Sequence, residues 1–349
     1  MVMMNYLKEK VANLLHLDWA ALNLAKSTVG IAIVLVALIL FSTIGAFGFT
    51  VAFGAALAVT VAGGGPRRQR VTALVVFALA GALATLLGNG SGQSVWGSVA
   101  VVFGITLVCG LALALGPQVG KMAFLINLWM IITVSLSPIL YDPLNLALGF
   151  LCGSGTVALL LLLLPKTDET EADSPLSWSF APLRAHLSLH SPIMQFALSR
   201  SLIAAFAMWL GWWLRLAHPY WIALTLLIVM VPDRRLATHT SWARGLGTVL
   251  GVAIGAVVLG FNLSPITLLL MWLLVTLVML AVQSVSYTLY ATILTLDLIL
   301  FYQLLEADVL FNGVERLVAT LLGIIFALGI IGLLEILAKR SIDQKGFLS

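Results

Sequence analysis

The sequence predicts an all-α polytopic membrane protein with about 12 transmembrane helices, and three observations carry that reading. Hydrophobic residues make up 61% of the 349 and charged residues only 9%, with a mean hydropathy of +1.11; a soluble chain of this length needs more polar surface. Apolar runs of spanning length follow one another and leave no stretch for a soluble domain. The strict alternation of barrel strands is absent, so helices are what satisfy the backbone in lipid.

Spans are expected at about 28 to 44, 47 to 62, 71 to 88, 95 to 115, 121 to 137, 144 to 164, 201 to 217, 220 to 232, 244 to 261, 265 to 282, 286 to 304 and 311 to 337. The first residues carry Lys8, Glu9, Lys10 and Asp18 before any long apolar run, so no cleavable signal peptide is expected. Residues 5 to 24 read instead as an amphipathic helix lying on the membrane surface. The stretch from Lys166 to Arg200 begins acidic and turns amphipathic through Trp178, Phe180, Leu183, Leu187 and Ile193, which predicts a cytoplasmic linker with a second interfacial helix. Under this layout every lysine and arginine of the 18 falls on one side of the membrane except Arg215 and Arg316. The positive-inside rule then puts both termini in the cytoplasm. The net charge of +4 reports topology and not a nucleic-acid partner.

An offset of 174 residues relates the two halves: Arg244 falls on Arg70, Gly255 on Gly81, Gly323 on Gly149, Gly329 on Gly155, and His190 on His16. The expected organisation is a first six-helix unit over residues 1–165, the linker over 166–200 and a second six-helix unit over 201–349. Six is even, so the units run parallel. Within the second, Arg244-x3-Thr248 opens the third span and Arg316-x3-Thr320 the sixth, as a 3+3 inverted repeat requires. In the first unit Arg70 lacks the threonine and Asp142 takes the place of Arg316.

The Tyr220-Trp221 span, the loop Pro232-Asp233-Arg234-Arg235, the run from Arg244 through Gly247, Thr248 and Gly251, and the run from Arg316 through Thr320 and Gly323 resemble the fusaric-acid-resistance, or aromatic acid exporter, family, distantly similar to plant aluminium-activated malate channels. The resemblance covers nearly the whole chain. It implies a bacterial inner-membrane efflux protein for aromatic carboxylates or related organic anions, with a periplasmic adaptor protein as a frequent partner. The chain lacks the large cytoplasmic domain of bigger members, which leaves its regulation open.

Arg244 and Arg316 are candidates to bind the organic anion, since a guanidinium offers a carboxylate two parallel donors and stays charged when desolvated. Arg244 is expected at the positively polarised N-terminus of its helix, where a bland reading makes it a topology anchor. Arg316 defies the charge bias, with surface snorkelling or pairing to Glu315 as the bland reading. Thr248, Thr320, Tyr220, Trp221 and His218 complete the candidate substrate set, the aromatic residues sitting in a hairpin too short for two full spans; an interfacial aromatic belt is the alternative. Asp297 is the one carboxylate deep in a span and the candidate proton carrier, against a helix-packing role. Ser286, Tyr290 and Phe301 share its stripe. Gly247, Gly251, Gly255 and Gly323 are expected to let helices approach closely.

Enzyme signatures are absent: there is no His-Glu-x-x-His and no Walker lysine loop, and Gly88-Asn-Gly-Ser-Gly-Gln does not fit a nucleophile elbow. No cofactor or metal is called for, and Cys109 and Cys152 read as small apolar residues within spans. A proton-driven exporter of organic anions is the expected function. A passive organic-anion channel or a non-transporting membrane subunit of an envelope assembly are the alternatives, and homo-oligomerisation stays open.

Overall fold

The computed structural model describes residues 24–346 apart from 62–65, 139, 164–180, 217, 232, 262, 284 and 306–308. The amphipathic helix expected over 5 to 24, His16, and the acidic start of the linker lie outside the described residues. Those that are described form helices joined by short turns, and no strand occurs among them. In chain order these are α1 (Leu24–Val61), α2 (Arg67–Ser91), α3 (Val95–Leu111), α4 (Pro117–Leu136), α5 (Pro143–Leu163), the five-residue α6 (Ala181–Ala185), α7 (Pro192–Trp213), α8 (Tyr220–Val229), α9 (Arg234–Leu259), α10 (Pro265–Val282), α11 (Tyr287–Leu305) and α12 (Val309–Gly346). Nine stretches among the described residues are long and apolar enough to cross a membrane, and Gly30–Leu40, Tyr220–Val229 and Tyr287–Phe301 are shorter apolar helices.

Local chemistry sets the helix boundaries. The first two expected spans form one element, α1, broken at Ile44 and at Gly45, whose φ of 62° is accessible to glycine at little cost. Asp233 caps α9 by accepting from Leu236 N at 3.1 Å, and Ser264 caps α10 by accepting from Thr267 N at 3.2 Å. Basic and amide side chains close helix C-termini. Lys121 Nζ donates to Thr60 O at 2.7 Å, Gln118 Nε2 to Val61 O at 2.9 Å, and Arg67 Nε to Leu161 O at 2.9 Å. Lys121, Gln118 and Arg67 thereby satisfy carbonyls no intrahelical donor can reach.

The chain divides into two compact units, one of Ala32–Arg215 and the other of Leu216–Ser349 with Met1–Ile31. In Ala32–Arg215, α2 packs on α4 and α5, and α3 on α4 and α7. Its centre is aromatic: the rings of Phe53 and Trp129 stack at 5.0 Å, those of Trp129 and Phe150 at 5.2 Å, and Phe77 lies 5.9 Å from Phe150. Trp129 Nε1 donates to Thr85 Oγ1 at 2.7 Å, and that hydroxyl donates to Gly81 O. In the other unit α9 packs on α11 and α12, α10 on α11, and α8 on α12. Helix α7, grouped by sequence with the second six-span unit, meets α3 where Ala197 touches Gly110, while Gly30 of α1 touches Leu280 of α10.

Candidate functional site

The first cluster is built where α8 begins. Ten residues give α8 a length of about 15 Å, half a bilayer core. Arg215 takes a left-handed φ of 54° in the turn before it, and His218 N donates to Glu315 Oε1 at 3.4 Å. His218, Trp221, Glu315 and Arg316 are all buried, Arg316 with only 3% exposed. The Arg316 guanidinium lies over the Trp221 ring, 5.0 Å from its centroid, and the His218 ring lies 4.3 Å from the same indole. Tyr220 meets His218 edge-on at 5.9 Å. One helical turn further along each helix, Thr225 and Thr320 carry buried hydroxyls with no hydrogen-bond partner among the described residues. Gly323 makes this approach possible, because a Cβ there would stand 2.9 Å from Ile222 O.

Arg316 therefore does not snorkel. Its charge is held inside the protein against an aromatic face, an arrangement worth about 2 kcal/mol or more when desolvated. An aromatic ring of a substrate would find the Trp221 ring already covered by Arg316 and His218.

The second cluster lies along α9. Arg244 is not at a helix N-terminus: α9 starts at Arg234, so Arg244 stands ten residues in, about 15 Å along the axis, and is 3% exposed. Hydropathy rises only near Arg244, whereas Asp233 caps the helix about three turns earlier, within polar sequence. Beyond Arg244 the glycine stripe meets α11. A Cβ on Gly247 would stand 2.8 Å from Thr288 O, one on Gly251 2.5 Å from Thr292 O, and one on Gly255 2.9 Å from Ile299. Thr248 is buried beside this contact. Tyr290 of α11 lies within electrostatic reach of Arg244, Tyr287 and Asp297.

Asp297 is the eleventh residue of the 19 in α11 and is 8% exposed. Its Oδ1 accepts a 2.5 Å hydrogen bond from Thr276 of α10. Next to them the rings of Trp272 and Phe301 approach to 5.5 Å. A carboxyl that is largely desolvated, hydrogen-bonded to one hydroxyl and set midway along a helix has the chemistry of a group that exchanges a proton.

The structure brings His218, Tyr220, Trp221, Arg316 and Thr320 together; it sets Arg244 and Thr248 on α9 and Tyr290 and Asp297 on the α11 it packs against. Sequence reasoning missed Thr276 as the partner of Asp297, because the two are 21 residues apart on different helices. It also missed Arg200. Counted as a cytoplasmic charge, Arg200 stands eight residues past Pro192 within α7 and is 5% exposed; the helix starts nine residues before the expected span, at a proline suited to a first turn. Cys109 is buried and Cys152 exposed, both as free thiols.

Residues 203–330, which hold both clusters, match the family described as fusaric acid resistance protein-like. The chain is 31% identical over 160 residues to the inner membrane protein YccS of Escherichia coli strain K12, covering 45% of this chain and 22% of YccS. It thus matches about a fifth of the length of that relative. No solved structure matches significantly.

Proposed function

We propose that this chain, with its fusaric-acid-resistance-like segment at 203–330, is an inner-membrane exporter of organic anions, aromatic carboxylates foremost, that couples efflux to protons through Asp297. One observation carries the reading. Within the segment similar to this family, Arg244, Asp297 and Arg316 are all buried inside apolar helices, where each unused charge would cost several kcal/mol. Arg244 and Arg316 supply the cations an organic anion needs, and Thr248 and Thr320 add hydroxyls one turn on. Asp297 loads a proton on one side and releases it on the other. With the three shorter helices counted as crossings, the chain has twelve, in two parallel six-helix units with both termini in the cytoplasm. The family match begins inside α7, close to the repeat boundary at 201. Substrate is expected to come from the cytoplasm, with a periplasmic adaptor receiving it.

The test is substrate accumulation in inverted vesicles, driven by an imposed pH gradient, beside counterflow exchange in the same preparation. Asp297→Asn keeps size and hydrogen bonding while removing titration, so accumulation should stop and exchange should persist. Full accumulation by Asp297→Asn would remove the residue from the mechanism and favour a passive anion channel.

A further inference from the structure

The unit Ala32–Arg215 holds a buried cation that the transport reading does not use. The guanidinium carbon of Arg200 lies 5.8 Å from the centroid of the Phe124 ring on α4 and 6.0 Å from that of Phe196, one turn before it on α7. Cys109, near the end of α3, lies within its electrostatic reach. One turn from Phe124 on α4 is Asn127, and one turn from Cys109 on α3 is Thr106. These two meet: Thr106 Oγ1 donates to Asn127 Oδ1 at 3.1 Å. Both are fully buried, and Asn127 Nδ2 has no hydrogen-bond partner among the described residues. Three helices therefore contribute to one neighbourhood: a guanidinium set against two phenyl rings, and, one turn along α3 and α4 from the residues it meets, an amide with donors to give.

The other unit repeats this pairing with one change. Thr276 and Asp297 stand on α10 and α11, 170 residues after Thr106 and Asn127 on α3 and α4, and the starts of those helices differ by the same 170. Asn127 occupies the place of Asp297. A carboxylate there would repel an anion, whereas an amide of the same size donates to one.

We propose that Arg200, Asn127, Phe124 and Phe196 form a second binding site, one that takes a carboxylate carried on an aromatic ring. The guanidinium and the amide Nδ2 take the carboxylate oxygens, and the two phenyl rings flank the apolar body. The site needs no proton. It makes a claim about binding and stands apart from proton coupling at Asp297.

The experiment is calorimetric titration of the full-length protein in nanodiscs with benzoate, and with neutral benzamide as control. Benzoate should bind and benzamide much more weakly. Asn127→Asp is isosteric and installs the side chain that the other unit carries at Asp297; it should weaken benzoate about tenfold or more at neutral pH, and Arg200→Gln by a similar factor. Arg200→Lys should retain part of the affinity, and decides the matter should Arg200→Gln fail to fold. Binding at this site should survive Arg316→Gln. Absence of benzoate binding, or affinity unchanged by both Asn127→Asp and Arg200→Lys, overturns the proposal. Affinity lost in Arg316→Gln but kept in Asn127→Asp does so too, and leaves the transport reading in place. Benzoate binding that follows this pattern in a protein whose Asp297→Asn form still accumulates substrate would keep the site and sink the coupling.

Discussion

The two compact units share a plan of contacts and fill it with opposite chemistry. In Ala32–Arg215 the helix α2 packs on α4 and α5; in the unit from Leu216 onward α9 packs on α11 and α12. The first closes its centre with Phe53, Trp129, Phe150 and Phe77. The second leaves glycines where α9 meets α11 and buries Arg244, Asp297, Glu315 and Arg316. Where Arg316 is expected by repeat, the first unit has Asp142, whose carboxylate merely caps α5 by accepting from Asn145 N at 3.3 Å. The same plan of contacts can close on stacked rings or on a close helix approach beside buried charges, depending on the residues at the contacts.

The sharpest way to break this contrast is to remove the first unit's central ring. Trp129→Ala deletes stacked contacts on two sides and leaves a cavity, and in lipid, where helices associate by packing, the loss should be about 3–5 kcal/mol. Thermal unfolding in nanodiscs checks it. The same protein held at permissive temperature should retain counterflow exchange, because no transport residue has been touched. A small stability loss together with abolished exchange would show the aromatic centre to be part of the pathway.

Arg316→Ala should have the next largest effect. It removes a charge-assisted donor from an anion site, for about 1.5–3 kcal/mol, roughly ten- to a hundredfold in apparent substrate affinity. Arg316→Lys should recover only part, since an ammonium keeps the charge and loses the planar stacking on Trp221. Counterflow with a labelled aromatic carboxylate, read as KM, is the measurement. Equal KM for wild type and both variants would make Arg316 a structural cation held by Trp221 and Glu315.

Much of this is legible in the sequence, and the rest is hidden for identifiable reasons. Helices α10 and α11 run close to the expected 265 to 282 and 286 to 304, because proline, serine and hydropathy all change at their ends. Asp297 stands out as a lone acid among apolar residues. Arg200 and Arg244 are misplaced for a shared reason: hydropathy marks where lipid-facing side chains begin, while helices continue past that level into polar sequence. The cation on Trp221 and the acid on Thr276 depend on partners in distant helices, which periodicity along one segment does not encode. The offset of 174 read from the glycines hides the 170 that aligns Asn127 with Asp297, because α2 runs on from Gly81 to Ser91 while α9 ends soon after Gly255, at Leu259.

The smallest effect is also the finest test of the comparison. Thr106→Val and Thr276→Val remove the same hydroxyl from the same place in the two units. In one the acceptor is an amide oxygen and in the other a carboxylate. A hydrogen bond to a neutral acceptor contributes about 0.5–1.5 kcal/mol and one to a charged acceptor about 1.5–3, so the two variants should differ if Asp297 is ionised for part of the cycle. Both should fold, since valine fills the space of threonine and adds no charge. Thr106→Val should change stability slightly and leave pH-driven accumulation near wild type. Thr276→Val should slow accumulation several-fold, because the carboxylate form loses its only hydroxyl donor among the described contacts while the protonated form can donate elsewhere. Measuring both variants in the same inverted-vesicle preparation removes differences in orientation and yield. Equal, minor effects would mean that Asp297 stays protonated throughout, and the contrast between a proton-exchanging unit and an amide-bearing one would reduce to packing.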